Sequence, residues 1–274
     1  MKIFGIDFTS APTRKKPITC AECDLHETLL TIHDCLKLPS LAEFEAFLHS
    51  PGPWIAALDF PFGQPRKLVE NLGWPESWES YVQTISSMGK MLFEETLTRY
   101  QASRSPGDKQ HLRATDAQAR ARSPMMLHRV PIGKMFFQGA TRLLATDVCV
   151  LPCRPTNDNR IVIEGYPALV ARRWLGKRSY KSDEASRQTA ENLAARGYLM
   201  DTLRSPELLT NYGVTVEVSD AMAKMLIQDP TGDTLDALLC AIQAAWSYTR
   251  RESGYGIPAR CDKDEGWIVD PAMR

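Results

Sequence analysis

Residues 2–8 (KIFGIDF) are apolar on both sides of the chain, the pattern of a strand buried on two faces, and the turn-forming TSAPTRKKP follows. Two further pieces rich in Thr, Ile and Leu, near 17–24 and 28–34, predict two more strands and so an antiparallel meander. Ser40 then caps LAEFEAFLHS, whose Leu41, Phe44, Phe47 and Leu48 recur at helical spacing until Pro51 and Gly52 end it. WIAALDF at 54–60 is a fourth strand. A strand, helix, strand run of this length predicts a crossover to a parallel neighbour.

From 64 to 148 the pattern is mostly helical, with helices expected near 65–72, 76–101 and 115–122 and the polar QASRSPGDKQHLRATD as a loop between the last two. This region is read as an insertion within a single domain, 1–274. RIVIEGYP at 160–167 returns to strand, and Pro167 is placed to open the helix ALVARRWLG. Helical stretches follow near 183–202 and 205–211. The last helix, 233–250, carries an apolar stripe of Leu235, Leu238, Leu239, Ile242 and Trp246. These elements predict an α/β fold: a mixed five-stranded sheet flanked by helices, with a largely helical insertion between strands 4 and 5.

Acidic residues stand where the apolar strands run out: Asp7 after the first, Asp59 after the fourth and Glu164 after the fifth, while Asp236 opens the last helix. Buried carboxylates need a partner, so several at strand ends suggest a cation between them. If strands 1 and 4 are parallel neighbours, Asp7 and Asp59 lie about 5 Å apart. Their repulsion is roughly 3 kcal/mol at a dielectric of about 20. An all-oxygen site suits Mg²⁺ or Mn²⁺, and two such ions about 4 Å apart serve in-line phosphoryl displacement. Each acid also has a purely structural reading. Asp7 and Asp59 can hold turns, Glu164 can be a solvated strand end, and Asp233 with Asp236 can stabilise a helix start. On the helical wheel Asp236 lies roughly 100° from the centre of the apolar stripe and Asp233 farther round. Asp236 is thus the better ligand, and Asp233 a cap or secondary ligand.

The order of elements, with an Asp in the first strand, acids ending the fourth and fifth, and D-x-x-D-A on the last helix, resembles the ribonuclease H-like superfamily. Within it GIDFT, LDFPFG, IEGYP and GDTLDALLCA resemble the family called domain of unknown function 429, regarded as predicted nucleases. The D-x-x-D-A helix is also similar to that of Holliday-junction resolvases of the RuvC kind. Where the family commonly shows Glu, any residue, His, Pro, Glu, this chain has Glu164, Gly165, Tyr166, Pro167, Ala168. The resemblance implies a metal-dependent nuclease with Asp7, Asp59, Glu164 and Asp236 as catalytic and metal-binding residues and Asp233 beside them. Two other classes are weighed against it. An actin-like phosphotransferase needs glycine after the first Asp, where this chain has Phe8, and a non-catalytic nucleic-acid-binding module would not need every carboxylate.

Lys and Arg balance Asp and Glu at 33 each, but unevenly. Residues 99–142 hold nine cations (Arg99, Arg104, Lys109, Arg113, Arg120, Arg122, Arg129, Lys134, Arg142) against Asp108 and Asp116, a net of +7. The stretch 172–187 adds +4, so the remainder carries −11. This asymmetry predicts a phosphate-binding face for DNA or RNA, with Arg120, Arg122, Arg129 and Lys134 as contacts; a solvated helical surface is the alternative. Cys20 and Cys23 form a C-x-x-C with His26, His33 and Cys35 nearby, yet zinc sites usually pair two such motifs, so core and surface roles are expected. Seven cysteines, no membrane-length apolar run and no room for a leader before the first strand predict a cytoplasmic protein.

Overall fold

The strands that the apolar pattern predicts all form. The computed structural model describes residues 1–273 and contains β1 (Lys2–Asp7), β2 (Ile18–His26), β3 (Leu29–Leu38), β4 (Trp54–Leu58) and β6 (Arg160–Glu164). Two three-residue strands, β5 (Cys149–Leu151) and β7 (Thr215–Glu217), add to them, so the sheet has seven strands where five were expected. Strands this short carry no periodicity, and only their neighbours define them. The order is β5-β6-β4-β1-β2-β3-β7. β1, β2 and β3 make the antiparallel meander; β4 is parallel to β1, β6 to β4, β5 to β6 and β7 to β3.

Side chains alternate across the sheet and build a core on each face. Ile3, Ile55, Ala57 and Ile163 face one side. There they meet α6 (Pro167–Leu175), α7 (Ala190–Leu203), α8 (Pro206–Tyr212), α9 (Asp220–Gln228) and α10 (Asp233–Tyr248). Phe4, Ile6, Ala56, Leu58 and Val162 face the other. That side is covered by α1 (Leu41–Leu48) and by three helices of the 64–148 region, α2 (Arg66–Asn71), α3 (Trp78–Ala102) and α5 (Ile132–Leu144), while α4 (Ala114–Ala119) packs through Ala119 against Trp267, Ile268 and Met273. The inserted region is therefore one wall of the sandwich, with Phe93, Leu97, Phe136 and Leu143 fully buried against the sheet side.

Ser40 caps α1 in a reciprocal box with Glu43, as its position predicts. α3 is broken at Gly89 (φ 76°, ψ 163°). α7 starts at Ala190, seven residues later than expected from the pattern, because Thr189 and Asn192 form its capping box. α5 and α9 were not resolved as separate helices by periodicity. No helix among the described residues is long and apolar enough to cross a membrane.

α10 runs across the middle of the sheet, and Leu235 to Ser247 are all buried. Its backbone touches β1 at Gly5, where an added Cβ would overlap the Ala237 carbonyl and the Ala241 nitrogen. This close approach brings the start of α10 to the end of β1.

Candidate functional site

Strand parity decides which acids meet. Asp7 shares its face with Ile3, and Asp59 with Ile55 and Ala57, so both turn toward α10. Ile6 pairs with Leu58, and the Asp59 N–H bonds the Ile6 carbonyl at 2.9 Å, setting Asp7 and Asp59 at adjacent ends of neighbouring strands. From α10 come Asp233, in its first position, and Asp236, which is fully buried. Asp7, Asp59 and Asp233 line a cleft of about 360 Å³ with Lys16, Arg129 and Lys181.

Asp233 is not the cap. Gly232 is, in left-handed geometry (φ 73°), and Asp229 ties the turn by accepting from the Thr231 and Thr234 amides at 3.0 Å each. With that task taken, Asp233 is left to the cleft, while Asp236 lies behind it, fully buried.

Neither Asp7 nor Asp59 has a side-chain hydrogen bond among the described residues, and each keeps part of its surface open to the cleft. Burial, followed by the charge of Asp236, pushes the Asp7 carboxyl well above the usual range. The same causes push Asp59 up to about 7. Burial also raises Asp233, against the pull of Lys16 and Lys181.

Two residues that the sequence did not single out complete the site. Tyr180 donates its hydroxyl to one oxygen of Asp236 and Lys181 its ammonium to the other. Burial opposes the Lys181 charge, but Asp236, Tyr180 and Asp7 outweigh it and hold the ammonium well above its usual range. The only signal for Lys181 in the sequence is its place in the basic 172–187 stretch. Lys16 lies 3.9 Å from Asp233 and also pairs with the exposed Asp183.

Glu164 departs from expectation. It pairs in register with Leu58, whose side chain faces the other core, so it points away from the Asp7 and Asp59 face. Its oxygens accept from both terminal nitrogens of Arg113 at 2.8 and 2.5 Å and from the Phe62 amide at 3.0 Å. Arg113 also grips Asp116 at 2.7 Å, and all three are almost wholly buried. Burial raises the Glu164 carboxyl even against Arg113. Glu164 lines a second cleft of about 250 Å³ with Arg122, Tyr166 and Met135, which meets the first at Asp59, Val130 and Met135.

Part of the basic stretch is neutralised from outside itself. Arg99 pairs with Glu95, Lys134 with Glu94 at 3.3 Å and Arg142 with Glu45 at 2.8 Å. Among the four expected contacts, Arg122 and Arg129 line the two clefts, Arg120 is exposed at the end of α4, and Lys134 is committed to Glu94. Cys20 and Cys23 pack into cores on opposite faces of the sheet, so the C-x-x-C is not a two-ligand clamp.

The family model described as Protein of unknown function (DUF429) matches residues 5–261, which include every residue of the acid cluster. The chain belongs to that family. No curated protein and no solved structure matches this DUF429 chain.

The donors at the cleft are all oxygens of acidic side chains. Four carboxylates, Asp7, Asp59, Asp233 and Asp236, face the ammonium groups of Lys181 and Lys16, so negative charge is in excess where Asp7 and Asp59 are unpartnered. As placed here, no three acidic, His or Cys side chains among the described residues converge closely enough to form a ligand cluster.

Proposed function

We propose that the protein is a metal-dependent phosphodiester hydrolase, a nuclease, with its site at the ends of β1 and β4 and the start of α10. The observation that carries this reading is the pair Asp7 and Asp59: adjacent, unbonded, open to the cleft and pushed toward protonation by burial and by the charge of Asp236. A carboxylate pair whose charge the protein leaves unbalanced is suited to a cation. Mg²⁺ or Mn²⁺ would be held by Asp7 and Asp59, with Asp233 and Asp236 behind them, and would supply Lewis-acid polarisation of a phosphoryl oxygen.

The chain's own residues support the rest. Leaving aside the two short edge strands, the order β6-β4-β1-β2-β3, with an antiparallel meander and parallel β4 and β6, is consistent with a ribonuclease H-like sheet. Arg122 and Arg129 stand on either side of the Asp59 junction between the clefts, where they can hold phosphates flanking the scissile one. Glu164 serves by fixing Arg113, and through it the 64–148 region, onto the sheet.

The test is hydrolysis, with Mn²⁺ or Mg²⁺, of a panel of single strands, duplexes, RNA–DNA hybrids, branched junctions and bis-p-nitrophenyl phosphate. Cleavage that Asp7→Asn abolishes is expected. Inactivity on the whole panel, together with ATP-dependent phosphorylation of a small molecule, would overturn the reading in favour of a phosphotransferase.

A further inference from the structure

Lys181 reaches the acid cluster from the segment between α6 and α7, and that segment is tied down on several sides. The Ser182 amide bonds the Pro230 carbonyl at 3.2 Å, Asn192 Nδ2 bonds the Ser179 carbonyl at 3.0 Å, and an Arg196 guanidinium nitrogen bonds the Tyr180 carbonyl at 2.6 Å. The lysine stem lies against Gly232, where an added Cβ would come within 2.8 Å of the Lys181 Cβ and 3.0 Å of its Cδ. The helix cap must therefore be glycine for two reasons, its positive φ and the passage of this side chain.

At the far end of that passage Asp236 is enclosed. One oxygen accepts from Tyr180 and the other from Lys181, and the residue is 0% exposed. Asp7 and Asp59 have no such partners. The cluster is thus divided into a half already holding a cation and a half without one.

We infer that the Lys181 ammonium takes the place of one of the two cations a two-ion phosphodiesterase would hold, leaving the Asp7 and Asp59 half for a single divalent ion. This rests on the metal-dependent reading above. The pairing is uneven: Lys181 is bonded to Asp236, whereas no side-chain cation among the described residues is bonded to Asp7 or Asp59. A fixed ammonium differs from a second ion in a way that matters for the reaction. It does not dissociate, so Asp236 stays neutralised at any metal concentration, and it brings no exchangeable water.

Equilibrium dialysis or calorimetric titration of the whole chain with Mn²⁺ counts the ions directly. The wild type is expected to bind one per chain, Lys181→Met two, and Lys181→Arg one. Two ions in the wild type, or one in both wild type and Lys181→Met, would overturn the inference. So would no ion in the wild type and one in Lys181→Met, because the ammonium would then fill the only place. No ion in any of the three proteins is a different failure, that of the metal-dependent reading itself. Circular dichroism shows whether Lys181→Met folds; if it does not, Lys181→Gln is titrated in its place, two ions being expected and one overturning the inference, and two ions in the wild type overturn it whichever variant folds.

Discussion

Gly5 of β1 lies directly beneath Ala237 of α10, so close that no side chain fits between strand and helix. Backbone-to-backbone contact sets the height at which α10 crosses the sheet. Asp7, two residues along the same face, is thereby brought level with Asp233 and Asp236.

Gly5→Ala is expected to destabilise the protein by about 3 kcal/mol, because the overlapping atoms are backbone and cannot turn aside. The urea midpoint measures this. A midpoint unchanged from wild type would show that the helix can lift without cost.

Arg113→Ala is expected to cost about 3–5 kcal/mol, since Glu164 and Asp116 would be left buried and charged without their shared partner. Arg113→Lys should rescue little of it, as an ammonium cannot make the paired bonds to both carboxylates. Glu164→Gln should lower stability while leaving Mn²⁺ affinity closer to wild type than Asp7→Asn or Asp59→Asn does. Equal losses of affinity in all three would return Glu164 to the ligand set.

Stability without metal should fall as pH rises from about 4 to about 7. Asp59 has a folded pKa raised to about 7 from 3.8, so the folded state binds the extra proton across that window and loses the advantage above it. Asp59→Asn should therefore raise the melting temperature in chelator at pH 8 and leave it nearly unchanged at pH 4. Because an ion must displace that proton, the Mn²⁺-induced melting shift should be larger at pH 8 than at pH 6. Equal shifts at the two pH values would argue that Asp59 is not a ligand.

Arg122→Ala with Arg129→Ala should flatten the slope of log affinity for nucleic acid against log salt by about two units, measured in Ca²⁺ to hold the site without turnover. Lys134→Ala should leave the slope unchanged, its charge being already matched by Glu94. A slope that responds to Lys134 and not to the arginine pair would move the phosphate face onto the outer surface of α5.

The strands that carry Asp7 and Asp59, the capped α1 and the apolar α10 were legible in the sequence because periodicity and capping are local. β5 and β7 were not, since three residues gain strand identity only from a neighbour's hydrogen bonds. Glu164 shows a subtler limit. Its position at a strand end was visible, but whether it joined the cluster depended on parity: Ile161 and Ile163 face α10, so Glu164, like Val162, faces Arg113.

The sequence by itself determined the order of the five longer strands and of the helices α1, α6 and α10 among them, and so the four acids at element ends, for these follow from the spacing of apolar residues along the chain. Only the tertiary structure decided what surrounds those acids. Lys181 meets Asp236 across 55 positions and Arg113 meets Glu164 across 51, and Arg99, Lys134 and Arg142 of the basic stretch are matched by Glu95, Glu94 and Glu45 from outside it. The physical reason is that charge acts through space: a residue's partners are fixed by which faces the fold turns together, and no local pattern encodes that.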